Sequence, residues 1–142
     1  MSDQPGSEEE SVRRTSINPV TWSSELGFDQ GQLIEGHSRL LVCSGQDAVD
    51  AGGSPQHPGD MAAQIDLAID NVEAVLTGAK MTLADVVRLD VYSTDIGELL
   101  KNWGSVTDRF GNPGGGWTTS LLGVSQLAAP GLLVMVEATA VG

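Results

Sequence analysis

Few side chains in this sequence are of a type that does chemistry unaided. Cys43 is the one cysteine, and a thiol becomes a nucleophile only where a neighbouring base or cation lowers its pKa. It sits in the apolar run Leu40-Leu41-Val42-Cys43, so a buried, inert thiol is expected. A lone cysteine also excludes an internal disulfide and a multi-thiolate zinc site. His37 and His57 fall in separate loop-like stretches, a poor basis for a metal centre, and neither a metal nor a cofactor is expected. Gly114-Gly115-Gly116 lacks the lysine and the preceding strand that a phosphate loop requires, and reads as a flexible approach to a strand or a lid. Glu137, inside a strand-like run, remains as a carboxylate suited to general acid or base work. Its other reading is structural, facing Arg88 or a backbone amide.

Charge narrows the partners. Seven Lys and Arg stand against nineteen Asp and Glu, a formal net charge of -12. Nucleic-acid binders present a basic stripe, whereas the cations here are scattered and only Arg13 and Arg14 are adjacent, so DNA or RNA binding is not expected. No apolar run approaches the ~20 residues of a membrane span, and no charged-then-apolar leader is evident. The expectation is a soluble, cytoplasmic protein without a membrane partner.

The elements that must position these residues follow from periodicity. Residues 1–12, with Glu8, Glu9 and Glu10, read as a disordered acidic tail, and residues 13–142 as one domain. Strands are predicted at Arg14–Asn18, Phe28–Glu35 and Leu40–Ser44, the last two forming a hairpin across Gly36. Glycines and prolines make Asp47–Asp60 a loop. Ile65, Ile69, Val72 and Leu76 recur at three- and four-residue steps, predicting an amphipathic helix over Met61–Ala79 capped by Asp60. A strand at Val86–Ser93, a helix at Gly97–Phe110, and strands at Trp117–Val124 and Leu132–Val141 complete the order. This is an α+β class: one mixed sheet with both helices on one face. Leu40, Val42, Leu121 and Leu133 are expected on the other face, which self-association would cover.

On those elements lie Phe28-Asp29-Gln30-Gly31, Ser44-Gly45-Gln46, Gly59-Asp60 with Gln64, Asn71, Leu83-Ala84-Asp85-Val86-Val87, Thr94-Asp95 and Val134-Met135-Val136-Glu137-Ala138-Thr139-Ala140. In this order they resemble the Rid (YjgF-like) family over about Arg14 to Val141. The resemblance implies a chorismate-mutase-like fold, a homotrimeric barrel assembly, and a small-molecule cleft at each subunit boundary. It further implies that Phe28, Asp29, Ser44 and Gly45 lie beside that cleft, and Trp117, behind the glycine stretch, is read as a cover for the ligand. Phe28 reads equally as plain core, and Asp29 as a solvated turn residue.

The departures bear on activity. Catalytic members carry Pro-Ala-Arg-Ser where this chain has Trp117-Thr118-Thr119-Ser120, placing Thr119 at the arginine that grips a substrate carboxylate. The water-positioning glutamate of those members falls at Met135, and a small polar residue at Leu121. Thr119, Leu121 and Met135 together imply a less charged cleft, with Glu137 the nearest replacement acid or base. The reading is a Rid-like small-molecule protein that is not an ordinary 2-aminoacrylate deaminase. The alternative is a deaminase-like hydrolase of a less acidic enamine or imine. A ribonuclease, as some family labels have it, is disfavoured by the charge and the lack of a histidine pair.

Overall fold

The computed structural model describes residues 11–111 and 116–142. Residues 1–10 of the expected tail, and Gly114 and Gly115 of the expected lid, lie outside the described residues. The elements run β1 (Arg13–Ile17), α1 (Trp22–Glu25), β2 (Gly31–Glu35), β3 (Leu40–Val42), β4 (Gln46–Asp47), α2 (Met61–Gly78), a 3-10 turn at Leu83–Asp85, β5 (Val86–Ser93), α3 (Ile96–Lys101), α4 (Trp103–Phe110), β6 (Thr118–Gly123) and β7 (Val134–Val141).

The main sheet has the order β3-β7-β5-β6, with β4 also paired to β7. β5 and β6 are parallel, and α3 and α4 form the crossover between them; β7 runs antiparallel to β3, β4 and β5. β1 and β2 form a separate antiparallel ribbon, from Arg13↔Glu35 to Ile17↔Gly31. The described residues thus form two sheets where one was expected, and among them β2 does not form a hairpin with β3. The turn between them is held by the chain end: Ser38 and Arg39 N–H groups both donate to the Gly142 carbonyl at 3.0 Å.

α2 forms as its periodicity requires. The Asp60 side chain accepts from Ala63 N at 3.1 Å, satisfying a free N-terminal amide. Ile65, Ile69, Val72 and Leu76 are each 0% exposed, and burying each such side chain stabilises the fold by about 1.5–3 kcal/mol. Two polar residues on this helix fix what surrounds it. Buried Gln64 donates to the His57 and Gly131 carbonyls and accepts from Leu133 N, which sets the start of β7. Asn71 Nδ2 donates to the Asp47 and Val49 carbonyls, tying β4 to the helix.

The helix predicted at Gly97–Phe110 is broken in two. Asn102 leaves helical geometry at φ -111, ψ 18, and its side chain donates to the Glu98 carbonyl at 2.9 Å. α4 ends on Gly111 in the left-handed region, φ 59, where glycine costs least.

The core lies between the helices and one face of the main sheet, lined by Leu89, Val91, Val134, Val136, Ala138 and Ala140. On the opposite, open face Leu40 and Val42 are 60% and 70% exposed, as expected. Leu121 and Leu133 are not there. Both are partly buried against the core cluster; Leu121 pairs in register with buried Val91 and therefore shares its face.

Candidate functional site

Register divides the expected site residues between the two faces of the sheet. Thr119 lies beside Leu89 and Leu121 beside Val91, both on the helix-covered side. Met135 and Glu137 lie beside Tyr92 and Asp90, on the open side. Within one subunit, Thr119, Leu121 and Met135 therefore do not line a common cavity. The Thr119 hydroxyl is already engaged, donating to the Leu89 carbonyl at 2.5 Å.

Phe28 and Trp117 do come together, as part of an aromatic cluster on the core side. Trp117 is 2% exposed and stacks on Phe110 at 4.8 Å between centroids and 18° between planes. Trp103 and Phe28 approach it at 6.1 and 6.4 Å. Trp117 is thus core rather than cover.

Asp29 is neither solvated nor open to a ligand, being 1% exposed. It accepts from Ser16 Oγ at 2.6 Å, Asn18 Nδ2 at 2.9 Å, Gln32 Nε2 at 3.1 Å and Gly116 N at 2.9 Å. Burial by itself raises its pKa, but the bonds from Asn18, Ser16, Gly116 and Gln32 outweigh that and hold the carboxyl below the usual range. Arg14 completes the clamp by donating to the Gly116, Val86 and Ala84 carbonyls. Asp29 and Arg14 grip the two ends of one peptide unit's neighbourhood and so set the start of β6.

Ser44 and Gly45 follow β3 where the strand breaks before β4. Ser44 is exposed, and Gly45 lies so close to Met135 that an added Cβ would stand 2.4 Å from the Sδ. Met135 therefore packs over the Gly45 backbone. Buried Cys43 has its thiol pKa raised by desolvation, in keeping with an inert side chain.

The polar chemistry of this chain gathers on the open face. The Tyr92 hydroxyl donates to Glu137 Oε1 at 2.5 Å. This bond raises the phenol pKa first, burial and the Glu137 and Asp90 charges add to it, and Arg88 opposes it. Arg88 Nε donates to Asp90 Oδ2 at 3.0 Å and Nη2 to Ser120 Oγ at 3.1 Å, so Glu137 is partnered by Tyr92 and not by Arg88. A groove of about 350 Å³ runs along this face beneath β2, lined by Gln30, Gln32, Ile34, Arg88, Thr118 and Thr139. No local pattern marks Tyr92 as a site residue, since only cross-strand register brings it to Glu137. Asp47, read as the start of a loop, pairs instead with Met135.

Mixed sheet, helices on one side and an open polar face define an α+β protein whose chemistry-bearing residues sit on strands. The family described as Endoribonuclease L-PSP matches residues 27–142. A Rid-family protein, YyfB from Yersinia pestis, is similar at 32% identity over 91% of this chain and 98% of its own, with a TM-score of 0.80. Rv2704 from Mycobacterium tuberculosis, of the YjgF/YER057c/UK114 family, is 32% identical over 93% and 100% of the two chains, with a TM-score of 0.62. The YjgF gene product of E. coli is 25% identical over 82% and 85%, with a TM-score of 0.64. No curated protein matches the chain. The chain belongs to the endoribonuclease L-PSP family, the Rid or YjgF group. Among the described residues no helix is long and apolar enough to cross a membrane.

Proposed function

We propose that this protein binds a small, weakly acidic or non-acidic metabolite in a cleft completed by a second subunit of a homotrimer, and is not an ordinary 2-aminoacrylate deaminase. The observation that carries this reading is the state of Arg88, the one cation on the strands of the main sheet, which is held on the open face by Asp90 and Ser120 and so is not free to grip a carboxylate. Thr119, which the resemblance aligns with the family's carboxylate-gripping arginine, has no charge, faces the helices, and commits its one hydroxyl proton to the Leu89 carbonyl. Arg14 and Arg109 do not replace that arginine. Arg14 is spent on backbone carbonyls, and Arg109 on Asp66, Asp70 and Glu73 of α2. Exposed Leu40 and Val42 support burial of the open face between subunits.

A second reading, a hydrolase of a less acidic enamine or imine, is favoured by the 2.5 Å Tyr92–Glu137 bond. It gives the open face a carboxylate and a phenol in direct contact, the groups a proton transfer needs. The test is a coupled assay that generates 2-aminoacrylate, run with the native protein and with Thr119→Arg plus Met135→Glu. Gain of keto-acid release only in the double variant supports the assignment. Release by the native protein overturns it.

A further inference from the structure

The groove beneath β2 has a floor that the reading above leaves unused. Thr118 of β6, Arg88 of β5 and Thr139 of β7 are direct neighbours across three strands, so their side chains project from one face, the open one. β5 is interrupted at this point: Val86 pairs with Ala140 and Arg88 with Thr139, which leaves Val87 as an extra residue opposite β7. An extra residue of this kind re-aims side chains, and Val87 and Arg88, neighbours in sequence, both line the groove. Ile34 lines it from β2, and Gln30 from just before that strand. The result is a recess of about 350 Å³ between the two sheets of a single chain.

The hydrogen-bonding groups left open decide what the recess can take. Gln32 is spent, accepting from Arg14 Nε and donating to Asp29. Arg88 places Nε on Asp90 Oδ2 and Nη2 beside Asp90 Oδ1, and Nη2 also donates to Ser120. Its Nη1 makes no hydrogen bond among the described residues, and the side chain is 47% exposed, so this N–H pair is open to solvent. The Thr139 hydroxyl is likewise uncommitted among the described residues. Gln30 Nε2 is too, its amide oxygen being the part that meets Val20 N. Thr118 differs. Its hydroxyl proton goes to the Val87 carbonyl at 2.7 Å, which leaves Oγ1 able only to accept.

The recess therefore offers donors at Arg88 and Thr139 and an acceptor at Thr118, beside apolar Val87 and Ile34. Charge excludes an ionised ligand. A carboxylate would meet Asp90, and the two-point grip of a guanidinium is closed to it because Nε and Nη2 are taken. An ammonium group would meet Arg88, whose counter-ion is already engaged. A neutral carbonyl with an adjacent N–H matches all three groups. We propose that this recess is a binding site for a small neutral amide or lactam, its carbonyl oxygen accepting from Arg88 Nη1 and Thr139 Oγ1 and its N–H donating to Thr118 Oγ1. The assignment rests on the reading of a non-acidic ligand, and adds to it a chemical class and a place formed by the two sheets of one chain.

The test uses the full chain and three probes of similar shape, benzamide, benzoate and benzylamine, with binding followed by the shifts of the protein's amide resonances. Benzamide is expected to bind most tightly and to move the resonances of Gln30, Arg88, Thr118 and Thr139. Its affinity should fall about three- to tenfold in Thr139→Val, the size of a lost neutral hydrogen bond, and about tenfold or more in Arg88→Lys, which keeps a cation for Asp90 but removes Nη1. Equal benzamide binding by the native protein and both variants, or shifts confined to residues away from the recess, overturns the site while leaving the non-acidic reading intact. Tightest binding of benzylamine overturns the amide class and likewise leaves that reading intact. Preference of the native protein for benzoate overturns both. Absence of benzamide binding to the folded native protein overturns the site. The map of shifts on the native protein decides the matter if either variant fails to fold.

Discussion

Asp29 Oδ2 accepts a hydrogen bond from Gly116 N at 2.9 Å, joining residues 87 apart in the chain and fixing where β6 begins. With Asp29 N donating to the Trp117 carbonyl at 2.8 Å, and Arg14 of β1 donating to the Ala84, Val86 and Gly116 carbonyls, this contact ties the β1–β2 ribbon to the main sheet.

Replacing Asp29 with alanine leaves Ser16, Asn18, Gln32 and Gly116 without their shared acceptor, at an expected cost of about 3 kcal/mol. The folded-state pKa lies below the unfolded value of about 3.9. The carboxylate's contribution is therefore full above about pH 4 and is lost as pH falls through the folded value. Urea unfolding from pH 7 to pH 2 checks this: the gap between native and Asp29→Ala midpoints should narrow in acid. A gap independent of pH would show that the carboxylate's charge does not matter.

Tyr92 is the one tyrosine of the sequence, so phenolate absorbance reports it directly. Its ionisation is expected above the ordinary value of about 10, and Glu137→Gln should bring the midpoint back down. Because the folded pKa is raised, the stabilisation from the Tyr92–Glu137 bond is present below about pH 10 and lost as pH rises through the folded value. A titration unmoved by Glu137→Gln would mean that the bond does not persist in solution.

Trp117 contributes through area rather than hydrogen bonding, since its buried Nε1 makes no hydrogen bond among the described residues. Trp117→Ala should cost about 4 kcal/mol, while Trp117→Phe should cost clearly less, keeping the stack on Phe110 and removing an unsatisfied donor. Denaturant midpoints for the two variants decide between this account and one in which the indole N–H is needed.

Legibility followed the range of the interactions involved. α2 was plain because Ile65, Ile69, Val72 and Leu76 mark its buried stripe at the helical period and Asp60 supplies its cap. β5 and β7 were plain because alternation marks them. The break at Asn102 was not, since it depends on a side chain replacing a backbone partner at Glu98. Asp29 looked like a turn residue because its donors come from positions as far off as Gly116.

What the sequence determined by itself was therefore the family, the class of fold and the inventory of reactive groups, all carried by local period and by residue types in order. The tertiary structure decided which of those groups meet. A strand's side chains alternate by a single residue, so register alone puts Met135, Glu137, Tyr92 and Asp47 on one face and sends Thr119 and Leu121 to the other. Pairing between distant strands is set by the packing of the whole sheet against α2 and α4, and no local stretch of sequence contains that information.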